Sequence, residues 1–110
     1  MLEEVDIPFA LGSATLTAAA RSVVSALAKR ALNEGASRVD VVGHADALGD
    51  AEYNLDLSRR RAEAVSDRLR QSGIGANALR VDWRGEFDPQ TPAPEAAEPK
   101  NRRVNVRVFR

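Results

Sequence analysis

Apolar residues occupy every second position between Glu3 and Ala10, at Val5, Ile7 and Phe9, so this stretch predicts a strand with one apolar face. Pro8 carries no amide proton, which places that strand at a sheet edge or near its own end. Gly12 and Ser13 break the alternation. Beyond them Leu16, Ala20, Val23, Val24, Leu27 and Ala31 recur at helical spacing, predicting a helix capped by Thr15 or Thr17, running to about Glu34 and stopped by Gly35. Arg38 to Gly43 alternates again, with Val39 and Val41 against Arg38 and Asp40. A second helix is expected from about Ala51 to Gln71, capped by Asp50 and stopped by Gly73. Its apolar line is Ser58, Ala62, Val65 and Leu69, with Leu55 and Leu57 at the amino-terminal end. Away from that line, Asp56 with Arg60 and Arg59 with Glu63 are spaced to pair across one turn of a solvated face.

Leu79, Val81 and Trp83 alternate with Arg80, Asp82 and Arg84, a third strand that places Trp83 in the core. Residues from about 86 to 101 hold four prolines and the stretch Glu95 to Glu98, a composition suited to a mobile surface loop. Arg103 to Phe109 is the last strand, with Val104, Val106 and Val108 facing inward. Every strand is thus apolar on one face only. The expected fold is a two-layer α/β sandwich of order β-α-β-α-β-β, with two main helices packed on one face of a four-stranded mixed sheet. The 110 residues form one domain with a single modest core.

Sixteen basic and sixteen acidic residues cancel, so no global field draws the chain to nucleic acid or to an anionic membrane. Arg59, Arg60 and Arg61 splay around their helix among Asp56, Glu63 and Asp67, which argues against a phosphate patch. There is no cysteine, hence neither a disulfide nor a thiolate metal site. No apolar run approaches the ~20 residues needed to span a bilayer, and no signal peptide stands at the Met1 end. The chain is expected to be soluble as given, and equally to be a domain of a longer exported protein.

The chemistry concentrates between Gly43 and Ala62. Asp46 stands where the chain leaves the second strand, and Arg61 lies on the border of the second helix's apolar line, beside Ala62. There a guanidinium can lie over the sheet edge where the Asp46 turn emerges. One carboxylate and one guanidinium facing a single pocket suit a small zwitterion, each charge-assisted bond being worth ~1.5–3 kcal/mol. The same spacing allows Asp46 to pair with Arg61 directly, or to cap a turn while Arg61 snorkels. His44 and Asp46 form a His-x-Asp pair, but with no second histidine and no cysteine the usual zinc ligand sets are missing. Ser58 has no activating base nearby in sequence, so no catalytic residue and no cofactor are assigned. His44 is read as a strand-end residue that donates a hydrogen bond or lines the pocket rim.

Gly43, His44, Ala45, Asp46, Gly49, Tyr53, Asn54, Leu57, Ser58, Arg61 and Ala62 follow the order and spacing of a known signature. It resembles that of the OmpA-like carboxy-terminal, peptidoglycan-associating domain family. Phe9 with Ala14 to Leu16, Gly85-Glu86 with Pro89, and Asn101-Arg102-Arg103-Val104 extend the likeness over nearly the whole chain. The resemblance implies non-catalytic, non-covalent binding of the peptidoglycan stem peptide through its diaminopimelate. By that analogy Asp46 takes the ammonium and Arg61 the carboxylate, Asn54 and Leu57 shape the wall, Gly49 belongs to the turn, and Arg103 braces acidic groups. It also implies a place in the periplasm or cell envelope, membrane association only through segments absent from this chain, and possible homodimerisation. Two positions depart from the pattern: Ala10 stands where an acidic residue is common, and Ala45 where threonine is. They leave open a fold retained as a protein-interaction or oligomerisation module without cell-wall binding.

Overall fold

The computed structural model describes residues 1–46, 49–86 and 99–110. In chain order they form β1 (Glu3–Pro8), α1 (Ala18–Asn33), β2 (Arg38–Gly43), α2 (Ala51–Gln71), β3 (Leu79–Trp83) and β4 (Arg103–Phe109). Short 3-10 turns at Ala76–Ala78 and Pro99–Asn101 precede the last two strands. The expected order and the single helical layer are what forms. Most of the proline-rich interval expected as a loop lies outside the described residues.

Each helix starts on an identifiable cap. Thr17 accepts from the Ala20 amide at 3.0 Å and Asp50 from that of Tyr53 at 3.3 Å, each satisfying an amide that the first turn leaves without a partner. The sheet runs β1-β4-β2-β3, with β4 antiparallel to both β1 and β2, and β3 parallel to β2. The last strand of the chain therefore sits inside the sheet, inserted between two strands that were made first. Val5, Val106, Val41 and Val81 form one row across all four strands. Its middle members are fully buried beneath the helices and its outer members are not. Val104, Val106 and Val108 join Ile7, Val39 and Val41 with Val24, Leu27, Ala62, Val65 and Leu69 in one core.

Two expectations of burial at the margins fail for this reason. Trp83 is 38% exposed and Val81 37%, because β3 is an edge strand of the sheet. Trp83 is the register partner of Gly43, and the space above Gly43 is filled by the backbone of α2. A Cβ on Gly43 would lie 2.0 Å from the Ser58 carbonyl oxygen, so that position has to be glycine. Val23 and Leu55 are likewise exposed, on the flanks of their helices and not on the buried stripes. Gly85, at φ +59°, brings the chain after β3 against the Leu55 backbone, where a Cβ would stand 3.0 Å from the Leu55 Cα. These two close approaches seat the amino-terminal half of α2 on the ends of β2 and β3. The site lies there.

Candidate functional site

Arg61 sits in the third turn of α2, between the core residues Ala62 and Leu57, and is fully buried. A guanidinium in that position requires acceptors, and the chain supplies backbone carbonyls. Nε donates to Ser13 O at 2.8 Å, Nη1 to His44 O at 3.0 Å and Nη2 to Ala10 O at 3.1 Å. The planar fork thereby ties the β1–α1 connection to the segment leaving β2. The Phe9 ring lies 5.4 Å from the guanidinium carbon, within cation–π range. Burial pushes the Arg61 pKa down to about 10, against the opposing field of Asp46 and reinforced by that of Arg102. The group remains cationic at neutral pH.

Asp46 is 4% exposed and does not pair with Arg61. Its Oδ2 accepts from Arg102 Nη1 at 3.2 Å, and Arg102 Nε also donates to Phe9 O at 3.2 Å. The Phe9 amide in turn donates to Arg102 O at 2.9 Å. Arg61, Arg102 and Asp46 thus form one cluster of two cations and one anion, with side-chain exposures of 16% at Arg102 and 5% at Asp46. Among the described residues, the cluster keeps one positive charge in excess.

His44 is buried, donates its amide to Arg103 O at 2.8 Å and gives its carbonyl to Arg61. Asn54 and Leu57, at 2% and 3% exposure, lie on the inner side of the first two turns of α2, on the same helix face as Ser58 and Arg61. Gly49 adopts φ +90°, a left-handed turn conformation suited to glycine. Arg103 does not reach the cluster. It begins β4 on the sheet face away from the helices, with Nε 3.8 Å from Asp6 and Nη1 donating to Lys100 O at 3.4 Å. The arginine that contacts Asp46 is the neighbouring Arg102.

Alternation carried the signal that separates the two arginines. Val104, Val106 and Val108 face the core, so Arg103 shares the open face with Asn105 and Arg107, while Arg102 has the parity of the valines. Ser58 also does more than line the core. Its Oγ donates to Leu55 O at 2.6 Å and accepts from the Gly85 amide at 2.8 Å, while the Gly85 carbonyl accepts from Ala45 N–H at 2.8 Å. This chain of bonds holds the turn after β2 against α2. Ala45, in place of the commoner threonine, is buried in it.

Known proteins resemble the chain in sequence and in fold. An outer membrane protein of Gluconacetobacter diazotrophicus is 34% identical over 98 residues, a match covering 83% of this chain and 26% of that protein. A peptidoglycan-associated lipoprotein of Legionella pneumophila is 35% identical over 97 residues, covering 87% of this chain and 55% of that one. The solved OmpA-like domain of FopA1 from Francisella tularensis subsp. tularensis superposes with a TM-score of 0.84 at 27% identity, over 94% of this chain and 69% of that one. The chain spans about a quarter to about half the length of these two sequence relatives. Residues 8–103 match the profile of the OmpA family, and the chain belongs to that family.

Proposed function

We propose that this chain is a peptidoglycan-binding module of the cell envelope, which holds the wall non-covalently through the diaminopimelate of the stem peptide. Membership of the OmpA family and likeness to a peptidoglycan-associated lipoprotein support wall association and a non-catalytic role. Likeness to outer membrane proteins supports the envelope location. One observation carries the ligand: the buried Asp46 carboxylate pairs with the Arg102 guanidinium and also acts through its field on the buried Arg61 guanidinium, so the cluster has one positive charge more than it neutralises. An amino acid end group offers one carboxylate and one ammonium. The ammonium takes the place of Arg102 on Asp46, and the carboxylate meets the released Arg102, while Arg61, held by its carbonyls, adds its positive field. Asn54 and Leu57 form the adjoining wall, and Gly49 shapes the turn that bounds it.

Displacement of Arg102 is a necessary step in this reading, because Asp46 is already paired and Arg61 is fully enclosed by its carbonyls. Loss of the carboxylate would leave the ligand's ammonium unpaired in a desolvated pocket, a penalty of about 2–5 kcal/mol. Co-sedimentation with purified sacculi tests the reading. The protein should pellet with them, free diaminopimelate should compete it away, and Asp46→Asn should remain in the supernatant. Pelleting that is unchanged in Asp46→Asn, or unaffected by diaminopimelate, would overturn it.

A further inference from the structure

We propose that β3 is a self-complementary edge through which two copies of this chain pair antiparallel, joining their sheets into one. The sheet order leaves β3 at one margin, and among the described residues no strand lies on its outer side. The Arg84 amide donates inward to Gly43 O at 3.0 Å. By the alternation of a parallel ladder, Arg80 and Asp82 also point their backbone groups toward β2, while Val81 and Trp83 point theirs out. Among the described residues, the Trp83 amide meets its neighbour's side chain, Asp82 Oδ1 at 2.9 Å, and the Leu79 carbonyl accepts from Arg80 Nη1 at 3.3 Å. Flexible surface side chains occupy these edge groups and can swing away.

Overlap of all five strand residues and charge together select the register. A two-fold axis through Val81 sets Val81 opposite Val81 of the second copy, with outward-pointing backbone groups meeting each other as a hydrogen-bonded pair. The same axis sets Arg80 opposite Asp82 of the second copy, and Asp82 opposite its Arg80, on the open face of the sheet. On the helix side it lays Leu79 against Trp83, and so covers the apolar surface that β3 exposes at Val81 and Trp83. Moving the axis by one residue puts Arg80 against Arg80, or Asp82 against Asp82. The opposite margin of the sheet offers no such match. Pairing β1 with itself about Val5 would set Glu4 against Asp6, and Pro8 removes an amide from that edge.

A five-residue edge buries little area, so the dimer is of the weak, transient class and its population rises with concentration. Sedimentation velocity on the full chain over a rising concentration series tests this. The wild type should move toward the dimer as concentration rises. Arg80→Asp and Asp82→Arg should each weaken association by ~10-fold or more, since each sets like charges against one another. An equimolar mixture of the two should restore it, because the mixed pair regains both attractions. Val81→Pro removes only an outward amide, so it should keep the fold by circular dichroism and abolish dimerisation. A wild type that stays monomeric to its solubility limit would overturn the proposal. So would single charge variants that associate like the wild type, a mixture that fails to recover, or a Val81→Pro protein that still dimerises.

Discussion

Replacing Arg61 with methionine tests how far one buried cation holds the ends of three elements together. Methionine keeps most of the side chain's length and apolar packing while removing its donors. Three bonds to Ser13, His44 and Ala10 carbonyls are lost. At ~1.5–3 kcal/mol for each bond to a charged donor, the gross loss is roughly 5–9 kcal/mol. Two effects offset it. The penalty for burying the charge disappears, and lowering the pKa to about 10 corresponds to roughly 3 kcal/mol at neutral pH. The Ala10 and Ser13 carbonyls also lie in an exposed connection, where water can replace the guanidinium.

The net destabilisation of Arg61→Met should therefore be about 2–5 kcal/mol, a large part of the ~5–15 kcal/mol typical of a domain. Urea denaturation followed by circular dichroism measures it. The sign of its pH dependence is set as well. The folded state releases this proton near pH 10, before the unfolded chain does, so the unfolded state binds more protons above that point. Wild-type stability gains from this group as pH rises through 10 toward the ordinary arginine value, and the gap to Arg61→Met should widen there. A variant within about 1 kcal/mol of wild type would refute the idea that the carbonyl cage is a structural tie.

Other substitutions probe the remaining contacts one at a time. Gly43→Ala drives a Cβ to 2.0 Å from the Ser58 carbonyl oxygen and should cost at least ~3 kcal/mol or prevent folding, whereas Gly75→Ala should change thermal stability by no more than ~1 kcal/mol. Ser58→Ala breaks the buried bond from the Gly85 amide and should lose about 1–3 kcal/mol in the same denaturation assay. Trp83→Ala, at a half-exposed edge position, should cost less than the ~3–5 kcal/mol of a core tryptophan. In the wild type, acrylamide should readily quench the fluorescence of this single tryptophan. Hydrogen bonds from Asn105 and then Arg107 hold the Glu4 carboxyl below its ordinary value of 4.5. Its stabilising contribution is thus present above that value and lost as pH falls through the lowered one, so Glu4→Gln should flatten the acid limb of the stability profile.

Elements whose cause is local were readable along the chain. The alternation around Val39 and Val106, the Thr17 and Asp50 caps and the glycines after both helices define strands and helices without knowledge of the partners. What depended on pairing order was not readable. Alternation places Trp83 on the apolar face of β3, but only the order β1-β4-β2-β3 shows that this strand is the margin and that α2 rests on Gly43 beside it. At the site, Asp46 and Arg61 stood out by charge and position, and both are buried in one cluster. Their partners did not stand out. Arg61 is held by backbone carbonyls, which leave no trace in side-chain spacing, and Asp46 by Arg102, which is distant in sequence and was masked by the adjacent Arg103.

The most direct test of the proposed wall-binding role is an NMR titration of a diaminopimelate-containing stem peptide into the isotope-labelled chain. Saturable shifts are expected at the amides around His44, Asp46 and Asn54 and at the side-chain Nε of Arg102 and Arg61, and they should disappear in Asp46→Asn. No shifts at millimolar peptide, or shifts that persist unchanged in Asp46→Asn, would contradict it.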